Sequence, residues 1–434
     1  MNKKTIELRK IIQGLQPRMI QDLMKILAIP SIKAPPQDDF PFGEACEVAL
    51  QEFLRTAGSL GFRTKNVDHY AGYAEFGPED APTMVAGICH LDVVPAQGWA
   101  DAFDARVEDD VLIGRGSIDD KGPAYAVLYA MKALMDFGYE PASRIRLIVG
   151  LDEESGSSCM DYYVANEEIP VASFTADADF PVIHAEKGIF TFKLHWQATD
   201  DVPVIRGHVG TVANVIPGVA ELEVDEDTYH ADGIMGHAAM PEVADNALSR
   251  LMADIGAQIN HPFVKAYNDL IGKDYNGQRI GLDFEDEVSG KLTLNAGILD
   301  ANKEGITLTC NVRYPVTSNY EDLCASLSKA LTPYPLELEL FPPSVPLYFE
   351  LDHPLVKSLS DVYLELTGDT TAPIAIGGGT YARSVPNTVA FGPSFPGEQG
   401  NAHQKNENVS LQTLERACEI YAHSLMRLAE EAKQ

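Results

Sequence analysis

Short apolar runs that break abruptly into acids or histidine constrain this chain more than any other feature. Met84-Val-Ala-Gly-Ile-Cys89 is apolar throughout and ends in His90-Leu-Asp92. Ile145-Arg-Leu-Ile-Val-Gly-Leu151 ends in Asp152-Glu153-Glu154, and Ser173-Phe-Thr-Ala ends in Asp177. Thr388-Val-Ala-Phe-Gly392 leads through a Pro/Gly loop towards His403. Runs of this length and character predict buried strands. Residues 125–137 repeat apolar positions at helical spacing, so a helix is expected between the first two strands. Alternating strands and helices predict an α/β fold with a mixed, largely parallel sheet. Open sheets of this kind bind ligands beyond the carboxyl ends of their strands, which is where these polar residues fall.

The remainder of the chain sets the domain plan. At 434 residues it is too long for one ordinary core and predicts about two domains. The first ~60 residues read as helical, broken at residues 30–41, where Lys33-Ala-Pro-Pro cannot continue a helix. The middle differs, with alternating strand-like runs at residues 190–196, 220–224 and 306–312 and helical stretches near 246–259 and 320–331. This predicts a catalytic domain from residues 1–188 and 346–434, with an inserted α+β lid domain over residues 189–345. A helix at residues 354–366 returns the chain to the first domain.

Composition narrows the partners. A formal net charge of −31 argues against nucleic acid, whose phosphate backbone rewards basic surfaces. The six cysteines are scattered and lack a CxxC pair, as expected of reduced, mostly buried thiols. No stretch approaches ~18 uninterrupted apolar residues, so no membrane partner is expected. The charged start MNKKTIELRK has no apolar core of a secretory signal, and a cytoplasmic location is expected.

The polar residues at the strand ends suggest metal chemistry. In His90-Leu-Asp92, residues two apart point the same way at a strand end, and a carboxylate commonly holds the second nitrogen of a histidine ligand. Gly114-Arg-Gly-Ser-Ile-Asp-Asp-Lys-Gly122 sets two adjacent carboxylates between glycines just before a helix, where one carboxylate can bridge two metals. Three consecutive acids at 152–154 repel one another unless cations or protons compensate. Two roles are natural there, one metal ligand and one free general base. Each motif alone also fits a charged turn or a satisfied histidine; the ordered set is what carries weight. Nitrogen and oxygen donors without thiolates suit zinc, and also cobalt or manganese.

The motifs HLDVVP, GRGSIDDKGP, DEESGSS, DADFP, GHAAMPE, NVRYP, GGGTYAR and HQKNE run in order along nearly the whole chain. In this the chain resembles the zinc peptidases that include ArgE, DapE, aminoacylases, carnosinases and PepV-type dipeptidases. GGGTYAR, AFGPSFPG and HQKNE are most similar to the PepV-like branch. The resemblance implies a zinc-peptidase, phosphorylase/hydrolase-like catalytic domain and two divalent metal ions, zinc first. It implies metal ligands His90, Asp119, Glu154, Asp177 and His403, with Asp119 bridging and the Asp119–Asp120 peptide cis. Asp92 would orient His90 and Glu153 would be the general base. In the lid, His237 would stabilise the oxyanion. Asn214, Arg313 and the Gly378, Gly379 and Arg383 positions of GGGTYAR would hold the terminal carboxylate of the substrate.

Two positions depart from the pattern. Ala239 stands where serine is common, and only 23 positions separate Asn214 from His237, fewer than in PepV-type lids. A homodimer through the lid is the arrangement this shortening leaves open.

The expected function is therefore metal-dependent hydrolysis of dipeptides or very short peptides. The same site also serves an N-acyl amino acid amidohydrolase or desuccinylase. A non-catalytic metal-binding homologue is the alternative of another class.

Overall fold

The structure is a computed structural model that describes residues 3–398 and 400–432. Two compact units emerge. One comprises Met1–His184, Phe349–Ile374 and Thr380–Gln434; the other comprises Ala185–Tyr348 and Ala375–Gly379.

The first unit is built on a mixed sheet. Its strands run in the order Arg63–Val67, Ala71–Phe76, Arg144–Gly150, Met84–His90, Ala172–Thr175 and Thr388–Ala390, followed by the pairing Ala390↔Ile183. The central strands are parallel: Met84–His90 pairs with both Arg144–Gly150 and Ala172–Thr175, and Thr388–Ala390 continues alongside Ala172–Thr175. The first two strands form an antiparallel edge. All seven residues of Met84–His90 are buried, as expected for a strand covered on both faces.

Four helices, Lys3–Leu27, Lys121–Asp136, Pro354–Thr367 and Leu411–Glu431, pack as one layer in this unit. Lys121–Asp136 is almost wholly buried, which explains a sequence apolar on nearly every side. Its first residue, Lys121, is buried and donates to the carbonyls of Ile26 (3.2 Å) and Ile29 (2.7 Å). Its amine thus closes the carboxyl end of Lys3–Leu27.

The second unit is an antiparallel seven-stranded sheet, ordered Asp227–Asp232, Val219–Val224, Ile205–Val209, Thr293–Asn302, Gly305–Tyr314, Gly188–Gln197 and Glu337–Leu340. Along Gly188–Gln197 buried and half-buried residues alternate, so one face meets the core. That core receives the helices Ala247–Gln258, Pro262–Leu270 and Tyr320–Leu331. The helix Pro262–Leu270 lies outside the helical stretches expected above, although its buried Phe263, Val264, Tyr267 and Leu270 recur at helical spacing. It starts from His261, whose Nδ1 accepts the Phe263 N–H at 3.2 Å.

One segment corrects the expected domain plan. Residues 375–379, expected within the catalytic part at 346–434, belong to the second unit. The Ile376 carbonyl accepts the Lys187 N–H at 2.9 Å, and the Gly377 carbonyl accepts Arg313 Nη1 at 2.6 Å. These bonds join residues far apart in sequence, so no local pattern signals them. Among the described residues, all six cysteines are free thiols, and no helix is long and apolar enough to cross a membrane.

Candidate metal centre

His90 is the last residue of its strand and is fully buried. Its Nδ1 lies 2.9 Å from the Asp92 carbonyl, so a proton there donates to that oxygen and leaves the Nε2 lone pair outward. The Asp92 carboxylate, expected to orient the ring, lies farther off, at 3.4 Å. It accepts the backbone N–H groups of Glu153 and Glu154, both at 3.1 Å. Those amides lie just past the end of a strand, where no ladder partner serves them. Asp92 therefore holds His90 through its main chain and the acidic turn through its side chain.

Asp119 sits opposite His90. Its Oδ1 is 2.9 Å from His90 Nε2, and its Oδ2 is 2.8 Å from His403 Nε2. His403 Nε2 is also 3.0 Å from Glu154 Oε2, and His90 Nε2 is 3.7 Å from Asp177 Oδ2. Two groups of donors result: His90, Asp119 and Asp177, and Asp119, Glu154 and His403. Within each group the donor atoms lie within 4.8 Å of one another. Asp119 belongs to both. Its neighbour Asp120 is buried and accepts the His90 N–H at 2.9 Å instead. The Asp119–Asp120 peptide is cis. Gly122 is required beside it, because a Cβ there would lie 1.9 Å from the Ser117 carbonyl oxygen.

The three acids at 152–154 divide their work. Asp152 is buried, pairs with Lys33 at 2.7 Å and accepts the hydroxyls of Ser155 (2.7 Å) and Ser158 (2.5 Å). Burial raises its carboxyl, but Lys33 and the serines outweigh this and hold it below the ordinary value. Glu154 faces His403. Glu153 is pushed up to about 8, chiefly by burial, with Glu154, Asp119 and Asp92 adding to the rise and His90 opposing it. Burial and the nearby Asp119 also raise Asp177 well above the ordinary carboxylate range. Carboxylates crowded around two imidazoles, all nitrogen or oxygen donors, suit divalent cations.

Glu407, in HQKNE, and Arg115, in GRGSIDDKGP, carry no sequence signal that marks them as functional. Glu407 is buried, and its Oε1 accepts the N–H groups of Gly116 (2.9 Å), Ile118 (3.2 Å) and Asp119 (3.3 Å). Its Oε2 pairs with Arg115 Nη1, while Arg115 Nη2 donates to the His403 carbonyl at 3.3 Å. One buried ion pair thereby ties the loop of Asp119 to the loop of His403. Locally the sequence offers only a carboxylate four residues after His403.

The remaining expected residues lie elsewhere. Asn214 and His237 are brought together in the second unit: Val215 pairs with His237, and the Asn214 carbonyl accepts the Ala238 N–H at 2.9 Å. Both side chains are exposed. Asn295 fixes this segment, donating to the carbonyls of Ala213 (2.8 Å) and Val215 (2.9 Å). Arg313 is buried, bonds Asn311 Oδ1 at 2.9 Å through Nε, and holds the loop containing Gly378 and Gly379 through Gly377. Arg383 lies half-buried in the first unit, on the short 3-10 turn Tyr381–Arg383.

An α/β sheet with two donor triads sharing one carboxylate at its strand ends defines a candidate dinuclear metal centre. Residues 88–427 match peptidase family M20/M25/M40, and the chain belongs to that family. It is 35% identical to "Putative dipeptidase YtjP" of Bacillus subtilis (strain 168), covering 95% of this chain and 97% of that one. It is 33% identical to "Putative dipeptidase SH1171" of Staphylococcus haemolyticus, covering 97% and 99%. Among solved structures, the fold is similar to human carnosine dipeptidase 1, with a TM-score of 0.64 at 14% identity over 99% of each chain. It is also similar to the Bacillus subtilis YXEP protein, described as a dinuclear metal-binding peptidase, with a TM-score of 0.58 at 12% identity over 96% and 99%.

Proposed function

We propose that this protein is a dipeptidase that hydrolyses the peptide bond with water at a two-metal centre. The observation that carries the reading is the Asp119 carboxylate, each of whose oxygens faces a different donor triad. His90 and Asp177 would hold one cation, Glu154 and His403 the other, and Asp119 both. The donor set suits zinc first, with manganese or cobalt as substitutes. When bound, such ions supply Lewis-acid polarisation and a more acidic water.

The residues of the chain do the rest. Glu153 takes the proton of the attacking water and returns it to the leaving amine. Asp92 and the Arg115–Glu407 pair keep the ligand loops in place. From the second unit, we assign His237 to the developing oxyanion. Asn214 and the backbone of Gly378 and Gly379 take the terminal carboxylate, with Arg313 setting the glycine loop. Arg383 is assigned to the same end of the substrate. Capture of a free carboxylate restricts length and favours dipeptides. A homodimer through the lid belongs to the same reading, and a strictly monomeric species in sedimentation would remove it.

The test uses dialysed protein and a dipeptide panel, with and without added zinc, manganese or cobalt. Turnover should vanish on chelation and return with metal. Activity that survives complete chelation would sink the two-metal mechanism. Faster cleavage of N-acylated than of free dipeptides would move the assignment to an amidohydrolase.

A further inference from the structure

The Pro-rich break at residues 32–36 has no part in the chemistry above, yet it is bound tightly to the metal-bearing loops. Ser31 Oγ donates to the Leu91 carbonyl at 2.5 Å, and the Ser31 carbonyl accepts the Val93 N–H at 3.0 Å. Lys33 Nζ pairs with Asp152 at 2.7 Å and lies 5.6 Å from the centre of the Phe42 ring. The Ala34 N–H donates to the Phe42 carbonyl at 3.0 Å. Pro35 and Pro36 restrict the backbone further.

Between this segment and residues 93–95 lies an open cavity of about 430 Å³, whose rim residues Pro35, Pro36 and Pro95 are exposed. Its walls include Ile32, Pro35, Pro36, Val94 and Pro95, and its polar end is formed by Asp92, Glu154 and Ser155. Among the described residues that line it, Lys33 is the one cation, and its charge is already met by Asp152. An acidic guest side chain would therefore meet an apolar wall and the carboxylates of Asp92 and Glu154 with no free cation, and would lose hydration without return.

We propose that this cavity receives the side chain of the amino-terminal residue of the dipeptide and selects a large apolar one. The inference rests on the dipeptidase reading and adds the substrate class to it. The carbonyl under attack belongs to that amino-terminal residue and must lie against the Asp119 and Glu154 donors. The side chain is one carbon removed from that carbonyl, so it falls where the cavity meets Glu154. Because hydrogen bonds and prolines hold the wall before any substrate arrives, little ordering accompanies binding.

The experiment measures kcat/KM of the metal-loaded wild-type protein on leucyl-, phenylalanyl-, alanyl-, aspartyl- and lysyl-glycine. Leucyl- and phenylalanyl-glycine should exceed alanyl-glycine by about 10- to 100-fold, the range that burial of a large apolar side chain supports. The difference should lie mainly in KM. Aspartyl-glycine should fall below alanyl-glycine and below lysyl-glycine. Val94→Asp should lower the leucyl-to-alanyl ratio at least ~10-fold, and the milder Val94→Thr should lower it less. A thermal melt checks that each variant is folded, and the wild-type panel decides even if one is not. Cleavage of these dipeptides at rates independent of the amino-terminal side chain would overturn the pocket while leaving the dipeptidase reading intact. No cleavage of any dipeptide with any of the three metals would remove both.

Discussion

The carboxylate of Asp119 is divided between two imidazoles, with Oδ1 2.9 Å from His90 Nε2 and Oδ2 2.8 Å from His403 Nε2. Neither histidine shares its second triad partner with the other: His90 has Asp177 and His403 has Glu154. A single carboxylate thus couples two otherwise separate donor sets. Asp119→Ala should lower bound metal from two ions towards none, whereas Asp177→Ala should retain one. Elemental analysis of dialysed protein checks both. Two tightly held ions in Asp119→Ala would end its role as a bridge.

Glu153 is flanked by two residues with other duties, Asp152 on Lys33 and the serines and Glu154 on His403. Glu153→Ala should therefore keep both metals and lose about 10²- to 10⁴-fold in kcat, the usual contribution of a positioned general base. Near-native turnover in the metal-replete variant would dismiss Glu153 as the base.

The Arg115–Glu407 pair should matter to metal binding although neither residue is a ligand. Glu407→Gln keeps a carbonyl oxygen for the amides of Gly116, Ile118 and Asp119 but leaves the buried Arg115 without its countercharge. Metal affinity, measured by titrating metal-free protein, should fall about 10- to 100-fold, as for other residues that orient ligand loops. Stability should drop by ~3–5 kcal/mol, as when one partner of a buried pair is removed. Unchanged affinity would show that the loops keep their places without the pair.

His261 gives the second unit a pH dependence. Burial pushes its imidazole below the ordinary value, against a smaller opposing effect of a hydrogen bond that the ring donates to the backbone carbonyl of Pro203. Its Nδ1 accepts the Phe263 N–H, and its ring lies 4.6 Å from that of Trp196. The folded state thus favours the neutral ring, while the unfolded chain takes up the proton at the ordinary value of 6.5. Where the unfolded state binds more protons, stability rises with pH. The contribution of His261 is accordingly present above about pH 6.5 and declines as pH falls through it. Urea unfolding at pH 7.5 and 5.5 should show this loss. His261→Asn, which keeps the helix cap without the titrating ring, should reduce the difference; an undiminished difference would exonerate His261.

The sequence by itself determined the elements and the residues offered at their ends. Apolar runs without polar interruption demand burial on both faces, so Met84–His90 and Ala172–Thr175 were legible as central strands, and His90 and Asp177 as residues beyond the core. Helical spacing likewise marked residues 125–137, within a turn of the observed Lys121–Asp136, and Tyr320–Leu331. Tertiary structure decided how neighbouring polar residues share their duties. The adjacent acids at 152–154 are alike in composition and differ only in what faces them: Lys33, 119 positions away from Asp152, or His403, 249 away from Glu154. Asp92 aims its carboxylate at amides of another loop, and Glu407 reaches back 288 positions to the Asp119 N–H. The glycine loop at 375–379 joins the second unit only because Arg313 and Lys187 meet its carbonyls there. Burial and periodicity are local and repeat along the chain, whereas a hydrogen-bond partner or a counter-charge is chosen by whatever the fold brings opposite.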